Sequence, residues 1–181
     1  VAAGHVCGLR VREFLQEQHI ASLGEIGLAV QERAETAMRR AVAALPDGEY
    51  RSLVRSDGFD RPTEFHTRVK IAGDGVTVDF TGTSAELRRG INAVFNYTYA
   101  FTCYTLKCLL DPVTRKNEGT YKPFTVIAPE GTVLNARFPA PVMARSMSGH
   151  FVSSGVLLAL AEALPDRVIA DSGSCPGLRV S

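Results

Sequence analysis

Apolar residues recur at helical spacing through the first 45 positions and then switch to strict alternation. Val6, Leu9, Phe14 and Leu15 form a rough stripe with Glu and Arg on other faces, which predicts a first helix with no capping residue before it. Residues 18–21 read as a break. Ser22-Leu23-Gly24-Glu25 then fits a capping box, in which the Ser hydroxyl takes an orphan amide and the Glu reaches back. Ile26, Val30, Ala34, Ala37, Met38, Ala41 and Leu45 follow at steps of three and four, an amphipathic helix of about six turns. Pro46-Asp47-Gly48 stops it. Residues 1–45 are therefore expected to form a helical hairpin.

Beyond residue 46 the period changes. Phe65, Val69 and Ile71 face one way, Ala72-Gly73-Asp74-Gly75 is turn chemistry, and Val76, Val78 and Phe80 alternate with Thr77, Asp79 and Thr81. This is a β-hairpin, with residues 50–56 expected as a strand before it. Residues 91–110 are almost uncharged, Lys107 excepted, and read as a buried central helix ended by Asp111-Pro112. Asn92, Asn96 and several Thr argue against a membrane span there. Residues 124–128 read as a strand and Val133-Leu134 as a short one. Residues 152–164 read as a last apolar helix closed by Pro165. The expectation is an α+β fold: a helical hairpin over 1–45, then an antiparallel β-hairpin and sheet, a buried central helix and a further C-terminal helix over 46–181.

Composition narrows the function classes. The 181 residues carry 20 Lys+Arg against 19 Asp+Glu, a formal net charge of +1, which argues against a strongly basic nucleic-acid binder. With 45% hydrophobic and 22% charged residues the chain has globular usage, and no apolar run reaches the length of a membrane span. Cys7, Cys103, Cys108 and Cys175 include no Cys-x-x-Cys pair. Spacing Cys103 and Cys108 by five rotates them about 500° around a helix, so they make a poor metal pair. Reduced, buried thiols in a cytoplasmic protein are expected.

Local chemistry is sparse. No phosphate loop, Gly-x-Gly-x-x-Gly or His-Glu-x-x-His is present, and His5, His19, His66 and His150 lack ligand spacing. Ser148-Gly149-His150 puts a histidine near hydroxyls, where it could act as a base or simply satisfy a helix N-terminus. Asp171-Ser172-Gly173-Ser174-Cys175 could present a nucleophile on a tight turn, or be a structural loop. Asp79, with Thr81, Thr83 and Ser84 beyond it, could be a site at a strand end or a cross-strand polar pair.

Longer strings carry more. Leu45-Pro46-Asp47-Gly48-Glu49-Tyr50, Val76 to Ser84 (VTVDFTGTS), Gly90-Ile91-Asn92, Leu106 to Pro112 (LKCLLDP), Asn117-Glu118-Gly119, Ala128-Pro129-Glu130-Gly131-Thr132 and Ala161 to Val168 (AEALPDRV) occur in that order. In order and spacing the chain resembles the hydantoinase B family: the B component of N-methylhydantoinase, the matching part of 5-oxoprolinase, and related subunits of acetone and acetophenone carboxylases. Members are much longer, so the resemblance implies an internal fragment. It also implies a hydantoinase A-type subunit or domain that binds ATP, and a divalent metal held by motifs upstream of Val1, outside this chain. The implied activity is ATP-dependent ring opening of a cyclic amide, a hydantoin or 5-oxoproline, by the parent protein, the isolated fragment being inactive. Two alternatives stand beside it: a ketone carboxylase subunit, or a non-catalytic interface module. Asn92, Arg145, Ser146 and His150 are the candidate catalytic residues, chosen for loop position and polarity.

Overall fold

The computed structural model describes residues 2–169. In chain order it runs α1 (Ala2–Glu17), α2 (Leu23–Ala43), β1 (Gly48–Ser56), β2 (Thr63–Ala72), β3 (Gly75–Asp79), α3 (Phe95–Leu110), α4 (Glu118–Tyr121), β4 (Phe124–Ile127) and α5 (Ser146–Leu160). The two N-terminal helices are present. α2 begins where the sequence puts it, with Ser22 Oγ accepting from the Glu25 amide at 3.4 Å. α2 buries Ala34, Met38 and Val42, whereas α1 carries no buried residue.

The strands form one sheet in the order β1-β2-β3-β4. β1 and β2 pair antiparallel, as do β2 and β3 across the turn in which Gly73 takes φ +58°, the left-handed conformation that glycine adopts freely. The expected antiparallel sheet is mixed, because β4 runs parallel to β3, with Val76 opposite Phe124 and Val78 opposite Val126. Parallel neighbours need a long crossover, and α3 provides it.

Alternation decides which face is covered. Phe65, Val69 and Ile71 on β2 and Val76 and Val78 on β3 are buried. The opposite face shows Arg51, Arg68 and Lys70 to solvent. α5 lies across β1 and β2 on the buried face and meets α3 on its other side. The α5–sheet approach is close because position 155 is glycine: a Cβ there would sit 2.4 Å from Thr67 Oγ1. Ser52 Oγ donates to the Gly155 carbonyl at 2.7 Å across the same contact. α4 docks on α2 in the same manner, and a Cβ on Gly119 would fall 2.0 Å from the Gln31 carbonyl oxygen. α4 is started by Asn117, whose side chain accepts from Gly119 N at 2.9 Å.

Three expected elements shift. The central helix begins at Phe95 rather than residue 91, because residues 91–94 are held in a loop by side-chain and backbone bonds described below. One flank buries Cys103, Leu106, Leu109 and Leu110, while Tyr104 and Cys108 face outward. Its buried threonines are satisfied within the fold, Thr98 Oγ1 donating to Leu134 O at 2.6 Å and Thr102 Oγ1 to Thr98 O at 2.8 Å. Val133 and Leu134 are fully buried but form no strand; their neighbour Thr132 makes isolated bridges to Ala85 and Asn135. The last helix starts at Ser146, six residues before Val152, and ends at Leu160. Among the described residues no helix is long and apolar enough to cross a membrane.

Candidate functional site

The N-terminal end of α5 and the loop before α3 form one unit. Asn92 is completely buried. Its Oδ1 accepts from Leu87 N at 2.8 Å, and its Nδ2 donates to Leu87 O, Arg89 O and Pro141 O at 2.7, 2.9 and 3.0 Å. The last of these reaches the segment that leads into α5. Ala144 N donates to Gly90 O at 2.7 Å and Ala93 N to Val133 O at 2.7 Å, so the loop is tied on both sides.

The four residues singled out from the sequence fall around this unit and differ in what they face. The Asn92 amide is occupied entirely by backbone. Arg145 is the N-cap position of α5; it is exposed, and its guanidinium lies 5.6 Å over the Tyr97 ring. Ser146 is the first helical residue and is exposed. His150 lies one turn further on and is half-buried, its carbonyl accepting from Ser154 Oγ at 3.0 Å. Ser146 and His150 share a flank of the helix by spacing, whereas Ser148 and His150, two positions apart, do not face each other.

Beside that helix end lies a cleft of about 180 Å³ lined by Ser56, Gly58, Phe59, Thr63, Phe65, Ile91, Met147, Ser148 and Phe151. Phe65 and Phe151 stack at 4.7 Å between ring centroids. Phe59 and Met147 stand half-exposed at the mouth, and the Arg89 guanidinium sits 5.2 Å over the Phe59 ring. The Phe59 loop is fixed by Gly58 at φ +70°, where a Cβ would meet the Arg61 carbonyl oxygen at 2.0 Å. Ser148 is 1% exposed, and its hydroxyl has no hydrogen-bond partner among the described residues. Sequence reasoning named Ser148 only as a neighbour of His150 and missed Phe59 and Phe151 altogether. The available signal was the Phe59 loop glycine, which local pattern alone does not connect to a helix 90 residues later.

The other candidates resolve differently. Asp79 is buried and forms a cross-strand ion pair with Arg68, while its Oδ1 accepts from Thr81 N at 2.8 Å and Thr81 Oγ1 at 2.6 Å. Burial pushes its carboxyl up, but the bonds from Thr81 and Arg68 outweigh that and hold it below the usual carboxylate range. It is the cross-strand polar pair. The cysteines are not uniformly buried: Cys103 is, but Cys7 and Cys108 are exposed, because α1 is uncovered and Cys108 points off the outer flank of α3. Burial pushes the Cys103 thiol up to about 11 and the Tyr99 phenol to about 12. The turn at 171–177 and Cys175 lie outside the described residues. Among the described residues no three His, Cys, Asp or Glu side chains come together as a metal-holding group, so this part of the chain does not fit a divalent metal.

Comparison with known proteins finds relatives over nearly the whole chain. The family model described as Hydantoinase B/oxoprolinase matches residues 1–180. A D-/L-hydantoinase B-type protein from Pseudomonas sp. strain NS671 is 32% identical over 188 residues, covering 96% of this chain and 32% of that protein. A 5-oxoprolinase of Pestalotiopsis fici is 32% identical over 117 residues, covering 64% of this chain and 9% of its own length. The chain thus spans about a third of the hydantoinase relative and less of the oxoprolinase. The ATP-dependent caprolactamase of Pseudomonas jessenii shares the fold with a TM-score of 0.74 at 22% identity, over 89% of this chain and 29% of that one. A nucleotide-free acetone carboxylase shares it with a TM-score of 0.72 at 16% identity, over 87% and 23%.

Proposed function

The chain belongs to the hydantoinase B/oxoprolinase family, and from that premise we propose that it is a segment of an ATP-dependent cyclic amidohydrolase, which opens a hydantoin or 5-oxoproline ring together with a hydantoinase A-type ATP-binding partner. The observation that carries this reading is the identity to the hydantoinase B-type relative, which extends over 96% of the chain. The chemistry supports coupling to ATP. An unstrained amide ring opens slowly. Phosphorylation of its carbonyl oxygen activates the carbon to water, and the adduct then breaks its C–N bond to free the ring nitrogen as an N–H group. Hydrolysis of the resulting acyl phosphate by a second water gives the carboxylate and phosphate. Nucleotide is assigned to the partner, as the family resemblance implies.

In this reading the residues here bind and orient rather than activate. Asn92 holds the loop that walls the cleft, and Arg145 and Ser146 at the start of α5, with His150 one turn further on, are polar groups beside the cleft that we assign to orienting a bound amide. The divalent metal expected of the parent is assigned to none of them, because their grouping supplies no donor set. The test is a substrate panel on the family-length parent with its partner: hydantoin, 5-oxoproline, and acetone with bicarbonate, each with and without ATP. Ring opening that requires ATP supports the proposal. Carboxylation of acetone without any ring opening refutes it in favour of the ketone carboxylase.

A further inference from the structure

The sheet ends on a strand with one side unused. β1 is nine residues long, pairs with β2 without interruption from Gly48 to Ser56, and contains no proline. Among the described residues its other side meets no strand, and no backbone group of residues 48–56 bonds to backbone outside the β1–β2 ladder. The opposite edge, β4, has only four residues. Folded proteins keep bare edge strands short, bulged or broken by proline, because a row of free N–H and C=O groups templates another strand. β1 has none of these features, and the charges it does carry are placed to match a second copy rather than to repel one.

We propose that β1 pairs antiparallel with β1 of a second copy of this chain, about a two-fold axis through Ser52, so that two four-stranded sheets join edge to edge. The side chains select the register. The axis passes through a residue, because otherwise positions that face opposite sides of the sheet would be set against each other. Centring on Ser52 sets Gly48 opposite Ser56, Glu49 opposite Arg55, Tyr50 opposite Val54 and Arg51 opposite Leu53, each pair occurring twice. The whole strand then overlaps. Within one copy, Arg55 already lies opposite Glu64 of β2, and Glu49 opposite Lys70. Across the axis these become one row: Glu64 and Arg55, then Glu49 and Lys70 of the second copy, alternating in sign over four strands. On the core side, half-buried Tyr50 meets half-buried Val54. Leu53, 36% exposed, comes under the Arg51 stem. Moving the axis to Arg51 sets that arginine against itself, and moving it to Leu53 sets Arg51 against Arg55; like charges directly opposite are destabilising. Larger shifts lose overlap at the strand ends. In the single copy Glu49 pairs with Arg51 and Arg55 with Glu64 on the exposed surface, contacts too weak in water to hold these side chains from a new partner.

A nine-residue strand pair is small beside the standard interface of about 1,600 Å², so the dimer is expected to be weak, with Kd on the order of 10–100 μM. The full 181-residue chain is followed by sedimentation over about 1 μM to 1 mM. Glu49→Arg and Arg55→Glu should each weaken dimerisation about tenfold or more, since each homodimer then holds two like-charged pairs. An equimolar mixture of the two variants should regain the dimer, because both junctions in the mixed pair are again of opposite sign. Damage to the fold of either variant would not be undone by mixing. The unsubstituted chain supplies a second reading: the amides within residues 49–55 that β2 leaves free should exchange more slowly as concentration rises. A chain monomeric throughout the range, variants that dimerise like the parent chain, a mixture of folded variants no better than its components, or a dimer whose β1 amides exchange at an unchanged rate overturns the proposal. Concentration-independent protection of residues 49–55 in the family-length parent would give this edge to another segment of that protein, and also overturns it. No arm of the experiment needs ATP or substrate, so its outcome is independent of the enzyme reading.

Discussion

Asn92 commits both ends of its amide to backbone: one bond accepted from Leu87 N, three donated to Leu87, Arg89 and Pro141 carbonyls. Asn92→Ala should therefore cost about 2–3 kcal/mol in urea unfolding, since it leaves buried backbone groups unpaired. Asn92→Asp should cost more near neutral pH, because it turns a carboxylate toward three carbonyl oxygens. Asp79 makes a prediction in pH. Its carboxyl is held below the ordinary 3.8 in the folded chain. It therefore contributes its full stability above that value, and the contribution is lost as pH falls through the folded value. Acid titration of stability should show a drop below about pH 4 that Asp79→Asn diminishes; an identical acid limb in the variant would contradict the assignment. Residues of this kind were legible in part. The sequence places Asp79 at a strand end near Thr81 and leaves a strand-end site and a cross-strand polar pair both open; the register that sets it opposite Arg68 decides for the pair. Asn92 could be picked out as polar in an apolar stretch. Its partners could not, because one of them lies 49 positions away.

At the scale of elements, glycine sets two of the packing distances. Gly119→Ala would drive a Cβ to 2.0 Å from the Gln31 carbonyl oxygen, a backbone atom that cannot swing aside, whereas Gly155→Ala meets the Thr67 side chain at 2.4 Å. Overpacking of this sort costs about 1–3 kcal/mol and sometimes more. Thermal unfolding should rank Gly119→Ala as the more damaging, with both below the parent chain. Periodicity located α2, β2 and β3 because each has one buried and one wet face, and a period of 3.6 or 2 is the trace that such a division leaves. It was less informative for α3 and α5, whose apolar residues run all round. There the helix ends depend on loop bonds such as Ala144 N to Gly90 O, which leave no periodic mark. The parallel pairing of β4 was likewise invisible, since a four-residue strand carries no sign of which neighbour it will join.

For the whole molecule, two surfaces stand out as exposed. α1 carries Val6, Leu9 and Phe14 exposed and buries nothing, and the outer face of the sheet is bare. The chain covers 32% of the hydantoinase B-type relative. We propose that this fold serves an ATP-coupled amidohydrolase. It is tested most directly by measuring ring opening of a neutral hydantoin by the family-length parent and its A-type partner, with ATP turnover followed in parallel. Product should form in step with ATP consumed, and none should form without nucleotide. Ring opening that proceeds equally well without ATP, or ATP consumed with no ring opened for any cyclic amide, would contradict it.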